Sequence, residues 1–203
     1  MISVLNVDID NETREVTLNL SGSVYHIMLS DYKALSIDAG DTVEQDVFDS
    51  IVYYDQKLLC VKQAFKLMSY ADYSSGRLSL KLKRNFDKRV VQETIAILAE
   101  HEYLRDADLC ADYARNNYEI KKHGPIRIKQ DLYNLGFPSD VISQTVAEYE
   151  SMDHSENLRE ILETKFASRD PQNAQKAFAA LYRLGYPYDD IREAVENYFE
   201  SEL

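Results

Sequence analysis

The chain has 203 residues, 45% of them hydrophobic and 29% charged, with a net charge of −12. That is enough for one domain or two small ones with a genuine core, and it excludes a disordered tail or a minimal disulfide scaffold. No apolar run approaches the roughly 18–20 residues of a membrane span, and the start lacks the basic and long apolar segments of a secretory signal, so a cytoplasmic protein with no membrane contact is expected.

Six glycines and four prolines, with every proline beyond residue 124, leave few helix breakers, so helices should dominate. The charge is uneven. Residues 1–56 hold two basic and eleven acidic side chains, 57–89 hold nine and two, and 90–203 hold twelve and 22. A basic island between acidic flanks acts locally, because screening confines exposed charges to roughly 8 Å at physiological salt.

In chain order, Leu5, Val7 and Ile9 alternate with polar neighbours, as do Val16, Leu18 and Leu20, and then Tyr25, Ile27 and Leu29. Turns at Asp10-Asn11-Glu12 and Ser21-Gly22-Ser23 make this a three-stranded antiparallel meander. Its apolar face needs a cover. Thr42 and Gln45 have capping-box spacing, and Val47, Phe48, Ile51 and Val52 form a helical stripe behind them. Helix should fill most of the stretch from Gly40 to Gly76, with a break near Asp55-Gln56 or between Ser69 and Tyr73.

From about residue 57 the chain repeats itself. At an offset of 49, Leu132, Tyr133 and Leu135-Gly136-Phe137-Pro138 align with Leu181, Tyr182 and Leu184-Gly185-Tyr186-Pro187, and Ile142, Val146 and Tyr149 align with Ile191, Val195 and Tyr198. A shorter copy runs from Leu78 to Leu98, with Asn85 in the place of the helix-ending glycine. Each copy reads as three helices; Gly124-Pro125 and Asp170-Pro171 open the middle helix of the second and third. The expected fold is mainly α: tandem three-helix modules at 57–104, 105–150 and 151–203 in an elongated, curved array, preceded by the small β meander and its helix at 1–56.

No phosphate loop, dinucleotide fingerprint, zinc-protease or nucleophile-elbow motif occurs, so neither an enzyme nor a cofactor is expected. Asp106, Asp108 and Asp112 lack the glycine and terminal glutamate of a calcium loop and read as helix N-terminal charges. His26, His101, His123 and His154 are scattered and read as surface residues. Cys60 and Cys110 lie on apolar faces and read as small core residues.

The basic residues form the one notable constellation. Arg77, Lys81 and Arg84 follow i, i+4, i+7 spacing opposite Leu78 and Leu82, with Lys83, Lys88 and Arg89 nearby. Arg115, Lys121, Lys122, Arg127 and Lys129 surround the middle helix of the second copy. These eleven residues are the expected faces for an anion or an acidic partner; ordinary solvated surface is the alternative.

The run Lys122-His123-Gly124-Pro125-Ile126-Arg127-Ile128 is similar to the KxGPxRI segment of the RecX regulators of RecA recombinase. Glu102-Tyr103-Leu104-Arg105-Asp106 resembles the GYLDD-type junction of that family, and Ser74 to Phe86 resembles its first-module pattern. Glu102 and Arg105 stand where the junction usually has glycine and an acidic residue. The resemblance implies an inhibitor that lies in the groove of the RecA filament on single-stranded DNA and lowers recombinase, ATPase and co-protease activities; a monomer is expected, and the split charge predicts weak, salt-dependent direct contact with bare DNA. Direct nucleic-acid binding through the same basic faces, or a helical adaptor for another protein, are the rival readings.

Overall fold

Alternation builds the sheet. The computed structural model describes residues 2–200, so the extreme ends of the first and last sequence segments lie outside the described residues. Strands β1 (Ile2–Asp10), β2 (Glu15–Leu20) and β3 (Ser23–Met28) pair antiparallel in order. Ser21 and Gly22, both at positive φ, make the two-residue turn between β2 and β3, which matches the right-handed twist of the strands it joins.

Three details differ from the alternation pattern. Val4 pairs with Leu20 and Asn6 with Asn19, so Leu5 is the extra residue of a bulge and points outward, while Val4 is buried. Leu29 does not end β3 but opens α1 (Leu29–Leu35), where Leu29, Tyr32 and Leu35 pack at helical spacing against the sheet core. Thr42 caps no helix: it lies in β4 (Thr42–Val43), which pairs with Ile2 and Ser3 and makes a sheet of four strands, order β3-β2-β1-β4, in place of the expected three. Val43 is buried in the sheet core, and that burial fixes the segment as a strand. Helix α2 (Gln45–Met68) then starts without a side-chain cap.

The predicted cover is α2. Ile51 with Val47 and Phe48 packs on the sheet, Phe48 meets Tyr25 edge to face, and the Asp55 carboxylate accepts the His26 backbone N–H at 2.7 Å. The helix runs unbroken through residues 56 and 57 and stops at Ser69, the second of the two expected breaks. The sequence division at 56/57 therefore falls inside a helix.

Eight further helices follow among the described residues: α3 (Ser75–Leu82), α4 (Lys88–Glu100), α5 (Asp106–Glu119), α6 (Pro125–Asn134), α7 (Ser139–Glu150), α8 (Ser155–Lys165), α9 (Ala174–Leu184) and α10 (Tyr188–Glu200). Asp170 caps the short 3-10 turn Pro171–Asn173 that leads into α9. Gly136 and Gly185 end α6 and α9 in the left-handed conformation, as expected. Asn85 does not follow them. With one residue fewer before Phe86, the chain leaves α3 through tight bonds from Arg84 N–H to the Lys81 carbonyl and from Asn85 N–H to the Leu82 carbonyl, with no left-handed residue there.

Two compact units result. The first holds the described residues to Tyr73 together with Leu78–Tyr103, and the second holds Ser74–Arg77 together with those from Leu104 onward. In the first, the sheet core is separate from the contact between α2 and α4, where Cys60, Ala64, Val91 and Leu98 are buried. In the second, one core gathers Cys110, Ala114, Ile128, Leu132, Ile142 and Val146, and another gathers Leu158, Leu162, Leu181, Tyr186 and Ile191.

Candidate partner-facing surfaces

A helix leaves orphan N–H groups at its start and orphan carbonyls at its end. In the second unit these groups satisfy one another. Gly124 N–H donates to the Leu184 carbonyl at 2.7 Å and Ile126 N–H to the Gly185 carbonyl at 3.1 Å, so the start of α6 abuts the end of α9. The residues that open α3 meet the end of α6 in the same way: Gly76 N–H donates to the Gly136 carbonyl at 3.1 Å and the Ser74 hydroxyl to the Leu135 carbonyl.

The KxGPxRI-like run fills this junction residue by residue. A Cβ on Gly124 would collide with the Gly185 backbone, so only glycine allows the approach. Pro125 occupies the first turn of α6, where its missing N–H costs nothing. Arg127 donates to the Arg183 carbonyl at 3.2 Å and lies 3.8 Å from Asp131. Lys122 reaches Asn157 and Glu160, both at 2.9 Å, while its own carbonyl accepts the Tyr186 hydroxyl at 3.1 Å. Ile128 is fully buried.

Two histidines depart from the surface reading. His154 precedes α8 with 2% of its surface exposed; its Nδ1 is 3.0 Å from the Tyr118 hydroxyl, its ring packs edge to face on Tyr186, and Nε2 is 4.0 Å from Asp190. Burial pushes its imidazole below the ordinary value of 6.5, with Asp190 and Asp153 pulling the other way. His123 is also held low, first by burial and then by Arg127, against the pull of Asp131 at 3.8 Å. A lone histidine in a loop carries no sequence mark of such packing, because its cover comes from helices distant along the chain.

The eleven basic residues divide sharply. In the second unit Arg77 opens α3 and is itself engaged, with its N–H on the Ser74 hydroxyl. Arg115 pairs with Asp112, Lys121 lies 5.8 Å from the Tyr113 ring centre, and Lys129 meets Glu150 at 3.0 Å. With Lys122 and Arg127 in the junction, each expected cation of this unit has a partner. In the first unit Arg89 pairs with Glu93 at 3.2 Å and stacks over Tyr53, whose hydroxyl is pushed up to about 12 by burial and by Glu93.

Lys81, Lys83, Arg84 and Lys88 remain. All four are exposed at the end of α3 and the start of α4, and among the described residues none of their side chains has an ion-pair or hydrogen-bond partner. The helical stripe inferred from Arg77, Lys81 and Arg84 is thus interrupted, since α3 stops at Leu82 and Arg77 belongs to the second unit.

The three aspartates that resemble a metal loop are each used separately: Asp106 accepts Ser75 N–H at 2.9 Å, Asp108 faces Arg105 at 3.9 Å and Asp112 pairs with Arg115. Among the described residues no group of three or more His, Cys, Asp or Glu is arranged to hold a metal, and no helix is long and apolar enough to cross a membrane. Cys60 and Cys110 are free, buried thiols pushed up by that burial.

No family model matches the chain. Curated relatives do. The chain is 23% identical over 164 residues to "Regulatory protein RecX" of Clostridioides difficile (strain 630), covering 79% of this chain and 77% of that protein. Against the proteins of that name from Geobacillus kaustophilus and Geobacillus sp. (strain WCH70) identity is 25% in both, over 75% and 92% of this chain but only 58% and 68% of theirs. A crystal structure of regulatory protein RecX superposes over 100% of both chains with a TM-score of 0.75 at 16% identity, and that of RecX from Lactobacillus salivarius over 72% of this chain and 98% of its own with a TM-score of 0.61 at 20% identity. With its tandem helical triplets and the junction built from its KxGPxRI-like run, the chain is thus similar in sequence to regulatory proteins named RecX and shares the fold of their crystal structures.

Proposed function

We propose that the chain is a non-enzymatic regulator that binds the RecA filament on single-stranded DNA along its groove and lowers its recombinase, ATPase and co-protease activities. The observation that carries this reading is the group Lys81, Lys83, Arg84 and Lys88, exposed and unpaired in a protein with 35 acidic side chains. Carboxylates are abundant in this chain, so cations left without one are available to an outside anion. Likeness to proteins named RecX supports RecA as the partner over an unrelated protein. The protein acts as a cytoplasmic monomer, and its modules, 57–104, 105–150 and 151–203 with the segment 1–56 before them, add several modest contacts through simultaneous engagement of neighbouring filament subunits.

The test is a titration of the DNA-dependent ATPase of the cognate RecA. Substoichiometric protein lowers the rate, and the variant with Lys81, Lys83, Arg84 and Lys88 all changed to alanine lowers it much less while melting as the parent does. Unchanged rates at saturating parent protein overturn the reading.

A further inference from the structure

Three large apolar side chains of the second unit stand in solvent on the stacked helices α6 and α9: Ile126 at 56% exposure, Tyr133 at 49% and Tyr182 at 61%. Ile126 and Tyr133 are seven residues apart on α6 and share one face. Tyr182 continues that face onto α9, because the start of α6 is bonded to the end of α9, and it lines a single open cleft of about 520 Å³ together with Ile126, Arg127, Asp131 and Arg183. Tyr133 and Tyr182 are also equivalent positions of the repeat, at the offset of 49 residues. The fold needs none of the three side chains, since the cores beneath are closed by Ile128, Leu132 and Leu181, all fully buried.

The cleft's charges narrow its occupant. Arg127 is committed to Asp131 and to the Arg183 carbonyl, whereas the Arg183 side chain donates from Nε to the Ala179 carbonyl at 3.2 Å and forms no ion pair among the described residues, the Asp131 carboxylate of the same cleft being engaged by Arg127. The chain from Leu104 onward holds 12 basic and 19 acidic residues, a balance that repels a phosphate backbone. Tyrosine and arginine beside an exposed apolar surface are the residue types that dominate binding energy between proteins.

We infer that this cleft is a second contact point for the protein component of the filament: it takes an apolar side chain flanked by a carboxylate, the carboxylate meeting Arg183 and the apolar group lying between Ile126 and Tyr182. Tyr133 offers an exposed ring at the equivalent position one repeat away, with Asn134 where Arg183 follows Tyr182, which suits a partner whose apolar surface recurs along a polymer. The inference rests on the RecA reading above and adds residues that the basic faces do not include.

The experiment compares binding of the parent, Tyr182→Ala with Ile126→Ser, Tyr133→Ala, and Tyr182→Glu to oligo(dT) bare and coated with cognate RecA, alongside melting curves and sedimentation. The double variant should bind the coated strand about thirtyfold more weakly. Tyr182→Glu, which sets a carboxylate against the incoming one, should lose at least as much, and melting, sedimentation and bare-strand binding should not change. Undiminished binding of the variants to the coated strand overturns the cleft and leaves the RecA reading intact. An equal loss on the bare strand, which would mean stacking on bases, or a parent dimer that the variants dissolve, also overturns it. A parent that does not bind the coated strand overturns the RecA reading itself and this inference with it.

Discussion

At the scale of single residues, packing decides what sequence spacing leaves open. Glu102 adopts a φ of 58° at the turn after α4, in the left-handed region where its RecX-like junction usually has glycine, and Tyr103 N–H closes the turn on the Leu98 carbonyl. The conformation required of that position was therefore legible from the family pattern, although this chain fills it with a costlier residue. His154 was not legible, because the residues that bury it come from two distant stretches of chain, Tyr118 from α5 and Tyr186 with Asp190 from the segment that opens α10. Its burial has a consequence for pH. The folded state keeps the imidazole neutral, while the unfolded chain protonates near 6.5, so its contribution to stability is present above that value and is lost as pH falls below it. His123 acts in the same direction. The melting temperature should drop from about pH 7 to about pH 5 more steeply in the parent than in His154→Gln; equal slopes would contradict the assignment.

At the scale of elements, periodicity located the hairpins and the helical triplets because each has one apolar face. It missed what depends on pairing partners. The bulge at Leu5 follows from the register between β1 and β2, β4 exists only because Ile2 and Ser3 receive it, and α1 was hidden because Leu29 continues the alternation of β3 by one more step. The junction of α6 with α9 is the element-scale feature that gives the KxGPxRI-like run a structural role, since Gly124 and Ile126 tie two helix ends together while Lys122 and Arg127, expected to face a partner, contact residues at the same junction. Gly124→Ala should accordingly destabilise the protein by about 1–3 kcal/mol, because the added methyl meets backbone that cannot turn aside. Urea unfolding measures this, with Gln130→Ala on the exposed face of α6 as the control; a loss as small as the control's would mean that the helix ends are not tied as described.

At the scale of the whole molecule, charge is the property that sequence and structure share most usefully. The uneven distribution along the chain was plain from the sequence, and so was the existence of a basic island. Which cations are free was not, because Lys122, Arg127 and Lys129 find partners 21 to 56 residues away in the chain. Of the eleven expected cations, Lys81, Lys83, Arg84 and Lys88 in the first unit are the ones whose side chains stay without a partner among the described residues. A few phosphate neutralisations at such a patch give only weak binding to bare DNA, with a salt slope of roughly 0.7 to 0.9 per contact. The most direct measurement is therefore equilibrium binding of the parent protein to single-stranded DNA, bare and RecA-coated, at two salt concentrations. Tight binding to the coated strand with a shallow salt loss, beside weak and steeply salt-dependent binding to the bare strand, is the predicted result; equal affinity for the two strands at both salts would contradict it.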